Sequence, residues 1–230
     1  MGQIRLPGNP PVDVIVRRSA RARRLSLRMS QLDGRVTLTL PRNVPDSVGV
    51  DFLREKEAWL RGHLENREGP VRVALGSEIP IEGVGHRIAT GEGRRIIRGG
   101  GVLEVPGSSD QVGVKTKAWL RNHARVRLSS ASDRYAAALG LPYTRLTLRD
   151  TRSRWGSCTH DGRLMYSWRL ILAPAYVLEY VAAHEVAHLK EMNHSQAFWD
   201  VVDHLYGDWK PARNWLHTHG ADLHRYRFDD

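Results

Sequence analysis

Residues 184–194 read HEVAHLKEMNH, and this stretch decides how the rest of the chain is interpreted. Residues four apart in a helix lie one turn apart on the same face, so the imidazoles of His184 and His188 stand side by side. Glu185 lies beside them, about 100° around the helix axis. Two imidazoles that can hold one metal ion, and a carboxylate that can reach a metal-bound water, form the pattern of a hydrolytic zinc site. We therefore expect one Zn2+ per chain.

The sequence before the motif predicts the helix that this site needs. Pro174 suits a first helical turn, where its missing N–H costs nothing. Apolar residues then recur at three- and four-residue spacings, and neither glycine nor proline interrupts residues 175–192. We predict a helix that ends at Met192-Asn193. The alternative, a metal-free helix with two surface histidines and a glutamate, agrees less well with this context.

A catalytic zinc ion has three protein ligands and keeps a fourth position for water. His194 is the predicted third ligand, because a turn at Met192-Asn193 can bring the chain back to the metal. The alternative leaves His194 just before the next helix and takes the third ligand from further along the chain. Asp203 and His204 are then the nearest candidates.

The carboxylate of Glu185 is predicted to act as the general base. It would take the proton of the metal-bound water during attack on a carbonyl, and it could then pass that proton to the leaving amine. A separate group usually stabilises the oxyanion that forms. The sequence does not single this group out, and Arg154, Tyr166 and His204 are the candidates.

The segment RWGSC, residues 154–158, predicts a substrate-binding strand made by Trp155, Gly156 and Ser157. A strand edge near the metal would offer backbone N–H and C=O groups to an extended peptide, and Gly156 would permit a close approach. The alternative is a buried hairpin with Trp155 in the core. Cys158 fits a small buried apolar residue better than a zinc ligand.

Composition places the chain among ordinary globular proteins. Of its 230 residues, 41% are hydrophobic and 26% are charged, which is enough to build a full core. A single cysteine excludes an internal disulfide framework and fits a reducing compartment. No apolar run is long enough to span a bilayer, and the N-terminus lacks the layout of a signal peptide. We expect a cytoplasmic protein with no membrane partner.

The formal net charge of +10 favours weak association with polyanions such as nucleic acid. The excess is spread along the chain, which argues against a dedicated binding patch. The densest cluster consists of Arg17, Arg18, Arg21, Arg23, Arg24 and Arg28. These arginines could bind phosphates, but a solvated edge strand is the interpretation we favour, because charged edges guard sheets against aggregation.

The remaining pattern predicts an α+β fold in two parts. Residues 1–107 read as a β-rich unit with one helix, which begins near Asp46 and follows strands joined by a turn at Asp33-Gly34. Residues 108–230 form the second unit. It starts with a long helix to Leu139, with Gly140 just past its end, and continues with a small antiparallel sheet and the motif helix.

Three separated blocks of sequence resemble the YgjP-like zinc metallopeptidases, a bacterial group related to the SprT-like proteases. The blocks are RWGSC (154–158), SWRLILAP (167–174) and HEVAHLKEMNHSQAFW (184–199). The N-terminal part resembles the same family more loosely, through RSARARRLSLRM (18–29) and VTLTLP (36–41). Metzincins share the histidine spacing but carry glycine where this chain has Glu191.

The resemblance implies a zincin-like catalytic domain, with His184, His188 and His194 as zinc ligands and Glu185 as the catalytic acid/base. It implies a zinc-dependent peptidase that acts on a peptide or protein substrate. The competing hypothesis is a zinc-stabilised nucleic-acid-binding protein, or a DNA-associated protease of SprT-like type, suggested by the positive charge. The presence of Glu185 favours the peptidase, because a structural zinc site has no use for an uncoordinated carboxylate.

Overall fold

The computed structural model describes residues 2–30, 34–65 and 69–228. The chain forms two compact units, Met1–Gly69 and Pro70–Asp230. Its division therefore lies well before the boundary predicted near residue 107, and residues 70–107 belong to the C-terminal unit. Among the described helices, none is long and apolar enough to cross a membrane.

The N-terminal unit consists of a four-stranded sheet and two helices. Its strands are β1 (Gly2–Leu6), β2 (Val12–Ser19), β3 (Ser26–Met29) and β4 (Val36–Pro41), in the order β1-β2-β4-β3. β2 and β4 are parallel, and the other two pairs are antiparallel. The helices are α1 (Asp46–Glu55) and α2 (Glu57–Glu65). The single helix predicted here is thus divided at Lys56. Asp33 of the predicted turn lies outside the described residues.

Strict alternation explains how this sheet buries one face. The side chains of Val12, Val14 and Val16 are buried, and the same holds for Val36, Leu38 and Leu40. These residues form one hydrophobic cluster with Leu53 and Leu60 of the helices. Gly49 permits close packing of α1, because a Cβ atom there would lie 3.1 Å from the Leu40 side chain.

The C-terminal unit begins with two sheets. The strands β6 (Glu78–Ile81), β7 (Val84–Gly91), β8 (Ile97–Gly99) and β9 (Val102–Pro106) form a sheet in the order β6-β7-β9-β8. The short strand β5 (Val71–Arg72) pairs in parallel with β13 (Tyr226–Arg227), which is the last strand of the chain. Tyr226 and Arg227 are therefore held beside the start of this unit.

The rest of the unit contains the predicted long helix, small sheet and motif helix. The helices are α3 (Val112–Leu139), α4 (Ala175–Ala187), α5 (Gln196–Tyr206) and α6 (Lys210–His219), and the strands are β10 (Arg145–Arg149), β11 (Gly156–Cys158) and β12 (Arg163–Ser167). Gly140 adopts a left-handed conformation just past α3, as predicted. The α+β class is confirmed. The small sheet, however, is mixed, because β10 runs parallel to β12 while β11 is antiparallel to it.

One hydrophobic core explains why residues 70–107 join the C-terminal unit. Ile79, Ile88 and Leu103 of the first sheet lie in the same buried cluster as the apolar residues of α3 and α4. Pro106-Gly107 is a turn within this unit, where the Lys115 ammonium donates a 2.9 Å hydrogen bond to the Pro106 carbonyl. The boundary predicted at this turn is wrong because the apolar face of the sheet packs against helices that come later in the chain.

A substitution at Gly113, in the first turn of α3, tests how tightly this helix packs against the backbone around it. A Cβ atom at this position would lie 2.4 Å from the carbonyl oxygen of Phe228 and 3.1 Å from that of Val73. Because both obstacles are backbone, we expect Gly113→Ala to lower the free energy of unfolding by about 1–3 kcal/mol, despite the better helix propensity of alanine. Urea unfolding of the full chain measures this change.

The matched control is Gly62→Ala in α2, where a Cβ atom would meet no other atom within 4 Å. Only the helix propensity changes there, so we expect a gain of about 0.5–1 kcal/mol. Destabilisation of equal size in both variants would show that the crowding at Gly113 is not the cause.

Candidate metal centre

Three imidazoles converge at the end of the motif helix. One ring nitrogen each from His184, His188 and His194 lies within 4.8 Å of the others, and the Nε2 atoms of His184 and His194 are 3.2 Å apart. Tetrahedral zinc with nitrogen ligands at about 2.0–2.1 Å places those nitrogens about 3.3 Å from one another. The three donors therefore fit a single metal ion.

An early end of α4 brings His194 to the other two histidines. The helix stops at Ala187, five residues before the predicted end at Met192, and His188 is its C-cap. The following amides form tight turns, with bonds of 2.9 Å from Leu189 N to the Val186 carbonyl and 3.0 Å from Lys190 N to the Ala187 carbonyl. This reversal places residue 194 back beside the helix. The predicted return of the chain is present, but it starts one turn earlier.

Phe198 contacts all three imidazoles. Its fully buried ring stacks on His188 at 4.4 Å between centroids and meets His184 and His194 edge-on at 4.9 and 4.8 Å. α5 supplies this ring one turn after the third histidine. Sequence reasoning assigned Phe198 no role beyond an apolar helix position, although it belongs to the block HEVAHLKEMNHSQAFW.

A second contact fixes the orientation of His188. Its Nδ1 lies 2.9 Å from the carbonyl oxygen of Glu191, which can only accept, so the ring N–H must be on Nδ1. The lone pair of Nε2 is then free to bind a metal, as in many metal sites where a backbone carbonyl sets the tautomer. The Nδ1 atom of His184 is buried and finds no hydrogen-bond partner among the described residues.

Burial favours the neutral forms of His184 and His188, and neutral imidazole is the form that binds metals. Burial, together with the charges of His188, His194 and Arg213, lowers the pKa of His184 to about 3. Burial also lowers the pKa of His188, and its bond to Glu191 offsets part of this shift. These two imidazoles can therefore accept a cation at neutral pH without first losing protons.

Glu185 lies beside the cluster and is almost completely buried, with 5% of its surface exposed. Burial raises the pKa of its carboxyl group to about 8, and the charge of Arg154 opposes that shift. A Cβ atom at Gly156 would lie 2.5 Å from Oε1 and 2.6 Å from Cγ of Glu185. Glycine at position 156 thus makes room for this carboxyl group, a role that the sequence did not reveal.

An open cleft of about 510 Å3 leads to the three histidines and Glu185. Gly156 and Ser157 line it, together with Arg154 and Cys158. β11, which contains Gly156 and Ser157, is an edge strand, since the order of its sheet is β10-β12-β11. Two of the three predicted substrate-binding residues therefore lie at the cleft on a strand with a free edge.

Trp155, the third predicted residue, packs away from the cleft. Its ring lies 5.3 Å from that of His224, and a Cβ atom on Gly220 would be 3.0 Å from it. The structure thus favours the alternative for Trp155, a packing role. Burial raises the pKa of the Cys158 thiol to about 11, with Glu185 and Asp161 adding to the shift. A thiol that stays protonated is a poor zinc ligand.

The three candidates for oxyanion stabilisation lie in different places, and one of them lies at the cleft. Arg154 lines the cleft. Tyr166 is fully buried, and its hydroxyl lies 3.0 Å from that of Ser132. His204 lines a different groove with Lys190 and Asp200. Among the described residues, the metal-binding group contains neither His204 nor Asp203, the alternative third ligands.

The strand that carries Gly156 is supported from behind by the C-terminal segment. Arg169 is buried, and its Nη1 donates hydrogen bonds of 3.0 and 3.2 Å to the carbonyls of Leu223 and Tyr226. Its Nε and Nη2 reach Asp150 at 2.6 and 3.2 Å. His224, which contacts Trp155, is therefore fixed within this network. The C-terminal residues thus contribute to the cleft without entering it.

A metal-binding helix with an adjacent carboxyl group, and a third imidazole from the loop after it, defines a metallopeptidase site. The chain belongs to the YgjP-like metallopeptidase domain family, whose family model matches residues 23–219. The predicted family and its zincin-like α+β fold are thereby confirmed, and the protein is a metal-dependent peptidase by family.

The chain is also similar to a solved structure, described as the metallopeptidase zymogen of Pyrococcus abyssi abylysin. The two share 18% sequence identity with a TM-score of 0.37, and the match covers 40% of this chain and 92% of the other. The comparison with curated proteins finds no significant match.

Gly156→Ala tests the packing of the glycine against Glu185. The methyl group would force the carboxyl group away from its position, and a displacement of about 1 Å near reacting atoms costs roughly 100-fold in rate. We expect peptide hydrolysis to fall by about that factor, while metal content measured by mass spectrometry stays unchanged. Gly99→Ala, where a Cβ atom meets nothing within 4 Å, is the control. Full activity in Gly156→Ala would refute the role.

His224 makes the stability of this region dependent on pH. Burial first, and then the charge of Arg169, lowers the pKa of His224 to about 4. Since the unfolded chain, with a pKa of about 6.5, binds the proton more tightly, stability falls as the pH drops from about 6.5 to about 4, by about 2 kcal/mol at pH 5.

Replacement by a neutral ring isolates this effect. We expect the loss of unfolding free energy between pH 7.5 and 5 to be smaller in His224→Phe than in the unsubstituted protein, with both at the same metal content. Urea titrations at the two pH values measure the difference. Equal losses in the two proteins would contradict the assignment.

Proposed function

We propose that the protein is a zinc-dependent peptidase, which hydrolyses peptide bonds through a metal-activated water. The observation that carries this proposal is the convergence of three imidazole nitrogens within 4.8 Å of one another, beside a carboxyl group and at an open cleft. A purely structural zinc site would fill its fourth position with a protein ligand and would need neither the cleft nor the carboxyl group.

His184, His188 and His194 are the proposed zinc ligands. Their all-nitrogen donor set suits zinc, and the 3.2 Å spacing of two of the donors agrees with tetrahedral coordination. When bound, zinc supplies a Lewis acid and lowers the pKa of water to about 7. A bound cation also favours the ionised form of the adjacent Glu185, whose pKa is raised by burial in the protein alone.

Glu185 is the proposed general base and acid. Its carboxylate takes a proton from the attacking water and delivers it to the leaving nitrogen, a transfer that the dry surroundings of the group assist. Arg154 is the proposed stabiliser of the oxyanion, because it is the candidate that lines the cleft and acts electrostatically on Glu185. Phe198 and the Glu191 carbonyl hold the imidazoles in position.

The substrate is proposed to bind as an additional strand. β11 has a free edge at the cleft, so the backbone groups of residues 156–158 are available to an extended peptide. Such pairing would place a peptide bond beside Glu185, because Gly156 packs directly against that residue. We further propose a reducing cytoplasmic location, consistent with the free thiol of Cys158.

The comparisons give no support to the alternative, a zinc-stabilised nucleic-acid-binding protein or a DNA-associated protease. The arginine cluster lies in the N-terminal unit, where one member is already used internally. Arg18 donates hydrogen bonds to Asp46 at 2.6 Å and to the carbonyls of Arg42 and Val44 at 2.9 and 2.8 Å. The peptidase is therefore the function that we test.

Substitution of Glu185 by its amide separates catalysis from metal binding. We expect Glu185→Gln to retain about one zinc per chain and to lose about 10²–10⁴-fold in peptide hydrolysis, because the amide cannot accept the proton. Chelation should abolish the activity of the unsubstituted protein, and added Zn2+ should restore it. Zinc analysis and cleavage of a denatured protein substrate provide both readouts.

Glu191→Gln is the matched control. Glu191 contributes its backbone carbonyl to His188, and the substitution leaves that carbonyl in place. We expect near-normal activity in this variant. Hydrolysis that survives in Glu185→Gln, or that is insensitive to removal of the metal, would overturn the proposed function.

A further inference from the structure

A stacked group of three side chains lies next to the metal-binding histidines. The rings of Trp199 and Trp209 stack at 4.1 Å, and the guanidinium carbon of Arg213 lies 5.2 and 5.6 Å from their centroids. Trp209 and Arg213 are four residues apart at the start of α6, so one helical face presents both. We call Trp199, Trp209 and Arg213 the Trp-Arg shelf.

Trp199 places this shelf at the metal site. Its ring centroid lies 5.8 Å from that of His184 and 5.9 Å from that of His194. The guanidinium of Arg213 is therefore close enough to the ligand histidines that three or four residues of an extended peptide, at roughly 3.3 Å per residue, would span the distance.

The N–H groups of the Arg213 guanidinium are available as hydrogen-bond donors. The side chain is exposed, and it has neither an ion-pair nor a hydrogen-bond partner among the residues that the structure describes. Other arginines of this unit differ: Arg169 is bonded to Asp150, and Arg98 to Glu82. A guanidinium without a partner presents N–H groups that can bind a carboxylate in a bidentate manner.

We propose that the Trp-Arg shelf is a specificity site that binds a carboxylate of the substrate close to the scissile bond. The peptidase would then prefer peptides that carry an acidic side chain, or their own C-terminal carboxylate, within about three residues of the cleaved bond. This inference rests on the proposed function and names the class of substrate.

Two features make Arg213 suited to this selection. The two tryptophan rings, 5.2 and 5.6 Å from its guanidinium carbon, occupy part of the space around the side chain before the substrate arrives, which reduces the entropy lost on binding. The only acidic side chain among the described residues that line the cleft is Glu185, so little negative charge opposes an acidic substrate. An exposed ion pair of this kind changes affinity by about twofold to fivefold. We expect that factor in KM, with little change in kcat.

The test uses the full-length, zinc-loaded protein and a matched peptide series. Each peptide carries glutamate, glutamine or lysine at a single position, which is one of the four residues before or the four residues after a mapped cleavage site. Every peptide is made with an amidated and with a free C-terminus. We expect glutamate to lower KM by about twofold to fivefold relative to glutamine at one or two adjacent positions. A preference confined to free C-termini would identify the terminal carboxylate as the source of the charge.

Variants of Arg213 assign the preference to the shelf. Arg213→Gln should abolish it, and Arg213→Glu should reverse it in favour of lysine. Arg125→Ala is the control, because Arg125 is an exposed arginine on α3 without a role in the cleft. Calorimetric binding of the same peptides to Glu185→Gln provides a readout that does not depend on catalysis.

The outcomes distinguish this inference from the proposed function. Equal KM values for the glutamate and glutamine peptides, or a preference that survives in Arg213→Glu, would refute the shelf while leaving the peptidase intact. Absence of any zinc-dependent cleavage would instead refute the proposed function. A preference lost in an Arg154 variant and unchanged in Arg213→Gln would place the carboxylate at Arg154, and would also refute the proposal.

Discussion

Burial of polar groups on α4 is the constraint around which the C-terminal unit is organised. This helix is surrounded by other elements on nearly all sides, yet it carries His184 and Glu185, whose charged forms are disfavoured away from water. Burial lowers the pKa of His184 to about 3 and raises that of Glu185 to about 8, so that both groups favour their neutral forms in the protein alone. A bound cation would reduce the cost of burying these groups, since neutral imidazoles can coordinate it and a nearby carboxylate is stabilised by its charge.

The neighbouring elements are shaped by the same constraint. The backbone at Gly156 comes so close to Glu185 that no side chain fits between them, and the carboxyl group keeps a defined position on the cleft side. Phe198 contacts all three imidazoles with a fully buried apolar ring. The Glu191 carbonyl fixes the tautomer of His188. Each contact comes from a different element, so the geometry of the site depends on the packing of the entire unit.

The sequence allowed the local parts of this arrangement to be predicted, and the long-range parts escaped prediction. The four-residue spacing of His184 and His188 depends only on helix geometry, and the return of His194 depends on a short turn. By contrast, the end of α4 at Ala187, the contact between Gly156 and Glu185 and the orientation of Trp155 are set by residues distant in the chain. The boundary between the two units at Gly69 was not predicted for the same reason. Ile79 and Leu103 pack against residues of α3 and α4 that lie far along the chain, and the sequence pattern does not show this contact.

The positions of the arginines in the structure change the interpretation of the positive net charge. Several arginines of the C-terminal unit are neutralised within it: Arg98 and Arg127 bind Glu82 at 2.9 and 2.7 Å, and Arg134 binds Glu179 on the motif helix. Arg98 lies on β8, whereas Arg127 and Arg134 lie on α3, so these pairs connect β8 and α3 to the β6–β7 turn and α3 to α4. Arg154, in contrast, lines the cleft and acts on the carboxyl group of Glu185, and Arg213 forms no salt bridge among the described residues. Net charge by itself suggested a polyanion, whereas the structure places Arg154 at the cleft beside Glu185 and pairs several other arginines internally.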